Sequence, residues 1–452
     1  MKHRLVIQKL GPIEQCELEC SRFVTLTGFQ ASGKSTVAKA IYFFRTIKED
    51  IVELIQKQAY HLAPVGGMED NYDIGFGMFL EEGLKKFLCE KFLQTFGSLQ
   101  MLSEKMQIQY FYTETCSITI SCSKEENMQS PCKLTVVLSN ALAAFLQEKN
   151  DRFSAAPKGI PEAEMRSLRT QLYQLFADNC AIIYIPAGRT MLTVLSQQLG
   201  YIYATMDDFQ KRSLDLCTRD YMEQVLRIKP EFSEGLSGLI EYSVRREALP
   251  EKVLELALGL IHKILRGTYY CKNGEERIVL DSGNYVKLNF SSSGQQECVW
   301  ILNLLFYFLL QQKQMLFIIE EPESHLFPAS QKYMTELIAL VNNCGHSIVL
   351  TTHSPYVLGS LNNLLYAHTV QPHSFKEAGR IIPMDFWLDF DEFDAWFVKD
   401  GMLDNCMDSE IHMIQNERID EISTVINQDF DKLLDLQQTE EKGVVESAIK
   451  WV

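Results

Sequence analysis

The chain has 452 residues, 46% of them hydrophobic, and sets 43 basic against 59 acidic side chains for a net charge of −16. Enough apolar surface is present to offset the entropy of ordering a chain, so wholesale disorder is excluded. A protein that coats duplex DNA by charge alone is excluded too, because neutralising phosphates needs clustered cations. The acid is uneven: residues 401–452 hold 12 acidic and 4 basic side chains, half of the net charge.

The first twenty residues, MKHRLVIQKLGPIEQCELEC, are charged throughout and lack the apolar stretch of a signal peptide. Arg4–Ile7 and Arg22–Thr27 read as short strands, followed by a glycine-containing loop and an apolar-periodic helix from Ser35 to Thr46. A helical region rich in Phe and Leu is expected from about Glu49 to Met106. The alternating runs Gln107–Tyr112, Cys116–Ser121 and Leu134–Leu138 predict an antiparallel meander. A polar stretch with Pro157 and Pro161 marks a linker, helix returns over Glu162–Asp178, and Ala181–Ile185 is a continuous apolar run typical of a buried parallel strand.

A long helical segment is expected over Leu192–Arg266, and the Asn273-Gly274 pair after it signals a β-hairpin. The last third alternates again: Leu316–Ile319, Gln331–Val341, Ser347–Thr351, Leu361–Leu365. Strand–helix alternation at both ends around a helical middle predicts an α/β sheet split by a long insertion. The most apolar run, Cys298–Leu310, is broken by Asn303 and falls short of the about 20 residues that span a bilayer, so a buried helix is predicted and no membrane segment. Twelve scattered cysteines without a CxxC pair predict reduced thiols and a cytoplasmic protein.

Three motifs carry chemistry. Gly28-Phe-Gln30-Ala-Ser32-Gly33-Lys34-Ser35-Thr36 fits G-x-x-x-x-G-K-[ST] between a strand and a helix. Such a loop turns backbone amides and the positive end of a helix toward an anion; Lys34 reaches the β and γ phosphates, and the Ser35 hydroxyl ligates Mg²⁺. Leu316-Phe-Ile-Ile-Glu320-Glu321-Pro-Glu323 is an apolar strand ending in carboxylates. A parallel strand delivers its last side chains to the sheet edge where nucleotides bind, which assigns Glu320 to the metal and Glu321 to the proton of an attacking water. Asn289-Phe-Ser291-Ser292-Ser293-Gly294-Gln295-Gln296-Glu297 precedes the apolar helix and supplies a second anion-binding helix start. His353, just past the strand Ile348–Thr352, is placed to meet the γ-phosphate at the same edge.

In this order, the phosphate loop, SSSGQQE, LFIIEEPESH and TTHSP resemble the ABC-type P-loop ATPases, in the soluble branch that holds SMC-like, RecF-like and OLD-like proteins. EEPESHLFP resembles that branch's extended Walker B and D-loop, and Tyr184-Ile-Pro-Ala-Gly-Arg189 resembles a segment of stand-alone bacterial ATPases. The resemblance implies an ATPase head with an antiparallel β subdomain and a helical insertion, using ATP and Mg²⁺. Residues 1–48 would form the N-terminal part of the head, 49–180 a helical and antiparallel β insertion, and 181–191 a core strand returning to the head. Residues 192–266 would be a helical insertion, 267–370 the C-terminal part of the head, and 371–452 an acidic extension.

Carried over by motif, Gly28, Gln30, Ser32, Gly33, Lys34, Ser35 and Thr36 bind nucleotide, and Ser292, Ser293, Gly294 and Gln295 form the signature. Glu321 becomes the general base, His353 the switch histidine, and Ser35 with Glu320 the metal ligands. Three positions depart from the pattern: Glu320 replaces an aspartate, Gln30-Ala31 stand for Asn-Gly, and Ser293 stands for glycine. Because the family's signature completes the site of a second subunit, a homodimer around sandwiched ATP is implied, with higher oligomers and nucleic acid as further possibilities.

No run of heptads sustains an SMC-like arm, and fewer than 100 residues follow His353, too few for the Toprim domain of OLD-like nucleases. Asp389 and Asp391 in WLDFDEFD read as a solvated acidic loop rather than a metal site. The tail resembles that of ATPase subunits of bacterial antiphage systems such as Septu and PARIS, implying a nucleotide-dependent gate for a separate effector. A RecF-like DNA clamp and a slowly hydrolysing scaffold are the alternatives. Apolar residues at helical spacing within Ile419–Leu436 predict a docking helix or a packed cap.

Overall fold

The computed structural model describes residues 2–61, 80–123, 133–153, 160–194, 201, 205–207, 214–242, 249–311, 313–370, 372–415 and 425–433. Strands β1 (His3–Leu10), β2 (Ile13–Cys20) and β3 (Phe23–Gly28) lead into helix α1 (Lys34–His61). Helix α2 (Leu80–Phe96) precedes β4 (Gln107–Phe111), β5 (Ser117–Ser123) and β6 (Lys133–Leu138), followed by α3 (Asn140–Phe153) and α4 (Glu162–Leu175). Next come β7 (Ala181–Ile185), α5 (Thr190–Val194), α6 (Leu216–Ile228), α7 (Gly235–Tyr242) and α8 (Glu251–Leu265). The hairpin β8 (Thr268–Lys272) and β9 (Glu275–Val279), then β10 (Tyr285–Lys287), precede α9 (Ser293–Leu309). The last third holds β11 (Met315–Glu320), α10 (Pro328–Asn343), β12 (Ser347–Thr351), α11 (Pro355–Thr369), α12 (Phe375–Ile381), β13 (Phe393–Lys399) and β14 (Met402–Asn405).

The fold class is α/β, as expected. The central sheet runs β14-β13-β3-β12-β11-β7, with β13, β3, β12, β11 and β7 mutually parallel and β14 an antiparallel edge. Strands buried on both faces must be apolar at every position, and alternation then decides which core each side chain enters. Phe23, Phe317, Ile319, Ile348 and Leu350 join the core beneath α8, α9, α10 and α11. Val24, Leu26, Leu316, Ile318 and Val349 join a second core with α1, α2 and the antiparallel sheet β2-β1-β4-β5-β6. The expected meander is present, closed by β1 pairing with β4. The Asn273-Gly274 turn has both residues at positive φ, 52° and 78°, as a type I′ hairpin requires.

Two sequence expectations need correction. Helix α1 runs through the expected boundary at residue 48, because Ile47, Ile51 and Ile55 keep its apolar face against the antiparallel sheet. The stretch 371–452 is not wholly an extension: β13 pairs in parallel with β3 from Phe393 to Val398 and completes the central sheet. The docking helix or packed cap expected within Ile419–Leu436 falls partly outside the described residues. Its described part, 425–433, is helical and exposed along its whole length, with Val425, Ile426, Phe430 and Leu433 facing solvent.

Trp387 is buried, Phe390 stacks on His412, and Asp389 spends its carboxylate on the Asp391 amide, so this loop is an acidic turn as expected. Among the described residues, no cluster of three metal-ligating side chains occurs, and no helix is long and apolar enough to cross a membrane.

Candidate active site

Because β3, β7, β11 and β12 are parallel, their carboxyl ends share one edge of the sheet. That edge gathers residues 29–33 from the end of β3, 186–189 from β7, Glu320–Glu321 from β11 and Thr351–His353 from β12. Loop 29–33 enters α1 at Lys34, so the helix start faces the same space. Gly28, at φ 133°, has no room for a side chain: a Cβ there would lie 2.3 Å from the Val398 carbonyl oxygen of β13. The C-terminal strand therefore forms a wall of the phosphate loop, and Phe29 adds an edge-to-face contact with Phe397 at 5.7 Å.

Lys34 is largely buried and its ammonium donates to the carbonyls of Gly28 (3.1 Å) and Phe29 (2.7 Å). Burial lowers its pKa to about 8, against the opposing pull of Glu321, Glu323 and Glu320. Ser32 is half-buried, and its hydroxyl oxygen is buried without a partner. Ser35 and Gln30 are exposed, and Thr36 sits half-buried under the β1–β2 turn at Gly11.

Across the cleft, Glu320 is buried; one carboxylate oxygen accepts from the Ala187 amide at 3.1 Å and the other is buried with no partner. Glu321 follows in a left-handed conformation, φ 43°, its amide donating to the Thr351 carbonyl at 3.0 Å. Its carboxylate lies 3.4 Å from His353 Nε2 and accepts from the Ser324 hydroxyl at 3.3 Å. The hydrogen bond to His353 holds Glu321 below the ordinary glutamate range, against the raising effect of partial burial. Glu323 accepts from the Thr352 hydroxyl (2.8 Å) and the His353 amide (2.7 Å), and burial pushes its pKa up.

The signature residues build a different object. Ser292 caps α9, and its hydroxyl accepts from the Gln295 amide at 3.3 Å; the Gln295 carboxamide oxygen in turn accepts from the Ser292 amide at 3.1 Å. Gln295 also reaches the Leu265 carbonyl at the end of α8, 2.7 Å away. A Cβ on Gly294 would lie 2.7 Å from the His325 carbonyl oxygen, so the signature packs on the segment after the acidic strand end. Ser293 opens α9. None of the signature's hydrogen bonds among the described residues runs to the phosphate loop.

Thus Lys34, Glu320, Glu321 and His353 converge, while Ser292, Ser293, Gly294 and Gln295 form a separate helix start. The sequence reading missed Glu323, which positions the histidine loop, and Arg189 with Glu297, which are buried as an ion pair at 3.1 Å. A charged residue in an otherwise small-residue loop, Pro-Ala-Gly-Arg189, was the available signal. It missed β13 as well, whose FDAWFVK pattern alternates but lies inside an acidic stretch.

Residues 196–358 match the family model of an AAA ATPase domain. The matched stretch contains the signature, the acidic strand end and His353, but not the phosphate loop. The chain also has a remote likeness to the SMC head domain from Thermotoga maritima, at 11% identity and TM-score 0.35, over 90% of this chain and 98% of that one. An SMC head domain from Pyrococcus furiosus, with an extended coiled coil and bound to the C-terminal domain of ScpA, scores 0.37 at 10% identity, over 89% and 94%. A third such head, bound to the C-winged helix domain of ScpA, scores 0.35 at 9% identity, over 89% and 96%. No curated protein matches the chain.

Proposed function

We propose that this protein binds and hydrolyses ATP at the carboxyl edge of its central sheet. One observation carries the reading: the phosphate-loop lysine, the strand-end carboxylates and the histidine meet at that edge, with one Glu320 oxygen buried and unpartnered. A buried carboxylate oxygen without a donor is costly unless a cation completes it. Ser35 and Glu320 suit Mg²⁺, which takes few protein ligands and keeps substrate phosphates and water for the rest.

Mg²⁺ held there supplies charge neutralisation for the transferring phosphoryl group. Lys34 exchanges its two carbonyl contacts for phosphate oxygens and offsets the same charge. Glu321 accepts a proton from the attacking water as the new phosphorus–oxygen bond forms and the bond to the β-phosphate breaks. His353 keeps that carboxylate ionised and aimed, and Glu323 fixes the histidine's backbone.

The reading extends to a homodimer closed around ATP, with Ser292, Ser293, Gly294 and Gln295 serving the partner's nucleotide. Its support is that Phe29, Phe290, Phe327 and Tyr356 are each more than half exposed and each stands within or beside one of the motifs. Exposed large apolar side chains next to polar motifs suit a surface that a second copy covers. Nucleotide that binds only the closed pair stabilises it by mass action. The biological role we propose is a nucleotide-dependent gate for a separate effector, in bacterial antiphage defence, with the acidic stretch 401–452 as a place for a basic partner.

Phosphate release by the purified protein, with Glu321→Gln as the control, tests the chemistry, and light scattering with and without ATP tests the dimer. Hydrolysis that survives Glu321→Gln unchanged would falsify the assignment. For the role, the gate predicts stable co-purification with a neighbouring gene product from the native cell; a clean dimer with no companion sinks it.

A further inference from the structure

Arg189 is wholly buried where the loop after β7 turns into α5, and its guanidinium is fully committed. Nε donates to the Glu297 carbonyl at 3.1 Å. One terminal nitrogen donates to the carbonyls of Pro186 and, at 2.6 Å, of Glu320; the other donates to the Glu321 carbonyl at 3.0 Å and pairs with the Glu297 carboxylate at 3.1 Å. The backbone amides of Arg189 (3.0 Å) and Thr190 (2.7 Å) donate to the same carboxylate. A single side chain thus ties the loop after β7, the first turn of α9 and the end of β11.

The last of these is where strain sits. Glu321 is a non-glycine residue in the left-handed region, a conformation that persists only when its surroundings over-determine it. Its amide donates to the Thr351 carbonyl (3.0 Å) and hydroxyl (3.3 Å), and its carbonyl accepts from Arg189 (3.0 Å) and from the Ser324 amide (3.1 Å). Turning this peptide would swing the Glu321 carboxylate away from His353.

We propose that Arg189 is a positioning residue for the proton acceptor: its planar fork clamps the Glu320–Glu321 backbone in the left-handed turn that aims Glu321, and through Glu297 anchors that turn to the signature helix. A fork is required because two carbonyls and a carboxylate must be met at fixed angles, which a lysine point charge does not do. The proposal rests on the reading of Glu321 as the base.

The test is Arg189→Lys, which keeps the charge opposite Glu297 and loses the fork. The expected result is a kcat reduced roughly 10²-fold, the cost of a displacement of about 1 Å in a catalytic group. Affinity for a fluorescent ATP analogue and the melting temperature stay near wild type. In a Glu321→Gln background the same substitution adds no further loss, because the residue it positions is already gone. Should Arg189→Lys not fold, Arg189→Gln combined with Glu297→Gln leaves no buried charge unpaired and is measured in the same way. A wild-type kcat in Arg189→Lys beside an inactive Glu321→Gln overturns the positioning role alone. An active Glu321→Gln overturns the base assignment instead. Parallel loss of melting temperature and nucleotide affinity in both Arg189 variants overturns the proposal and makes Arg189 a structural anchor.

Discussion

The phosphate loop and the strand-end carboxylates face each other across one sheet edge, yet they are held by different means. Residues 29–33 hang between a strand and a helix start, with Lys34 folded back on its own loop's carbonyls and the Ser32 hydroxyl oxygen unpartnered. Those contacts are ones that phosphate oxygens replace with equal or better acceptors. Glu320 and Glu321 sit instead on a braced backbone: Arg189 holds both carbonyls, and Thr351, Ser324 and His353 hold groups of Glu321, while one Glu320 oxygen is left open. The loop's polar groups are thus held by contacts that can be exchanged, whereas the carboxylates are held by contacts from four other residues. Catalytic groups gain most from that second arrangement, because the reorganisation is complete before the reaction begins.

Substitutions that attack one side and spare the other sharpen this contrast. The largest effect belongs to Glu321→Gln: phosphate release in single-turnover assays should fall roughly 10²- to 10⁴-fold, the usual contribution of a general base, with nucleotide affinity retained. Lys34→Ala reverses the pattern. It should remove about 1.5–3 kcal/mol of binding, roughly 10- to 100-fold in affinity by titration calorimetry, as expected for a charged hydrogen bond. If both variants lost binding equally, the two sides would not be separable.

Gly28→Ala probes the wall that β13 gives the loop. Its Cβ meets the Val398 backbone at a φ that disfavours alanine, so urea denaturation should show a loss of about 1–3 kcal/mol. An unchanged midpoint would mean that β13 yields easily.

Two smaller effects follow pH. Lys34 ionises at about 8 and must be protonated to meet phosphate, so nucleotide affinity should decline as pH rises through that value. Glu321 is held ionised by His353, so the acid limb of the pH–rate profile should lie below the ordinary glutamate range. His353→Ala removes the main cause of that lowering, and the limb should move to higher pH. A limb that stays in place would show that His353 does not govern the carboxylate.

Much of this was legible in the chain itself. The phosphate loop is contiguous and its glycines, lysine and serine are fixed by backbone geometry, so it reads without a fold. The apolar runs of β7, β11 and β12 are legible because strands buried on both faces admit few polar residues. What escaped was assembled across long separations. Arg189 meets Glu297 over more than a hundred residues, and nothing in either local pattern names the other. The strand β13 hid in an acidic stretch because its partner, β3, lies near the opposite end of the chain.

By itself, then, the sequence determined an α/β chain with a phosphate loop, an acidic strand end, a serine–glycine helix start and a late histidine. Those features depend on residue type and short spacing, which local sterics and hydrogen bonding enforce. Only the tertiary structure decided that three of them lean on one edge, that the serine–glycine helix start stands apart from the loop, and that a C-terminal strand walls the phosphate loop. It alone made Arg189 the tie between the strand-end carboxylates and helix α9. Parallel pairing sets that arrangement: it carries distant strand ends to a common edge, and burial there forces each charge to find a partner that no local spacing predicts.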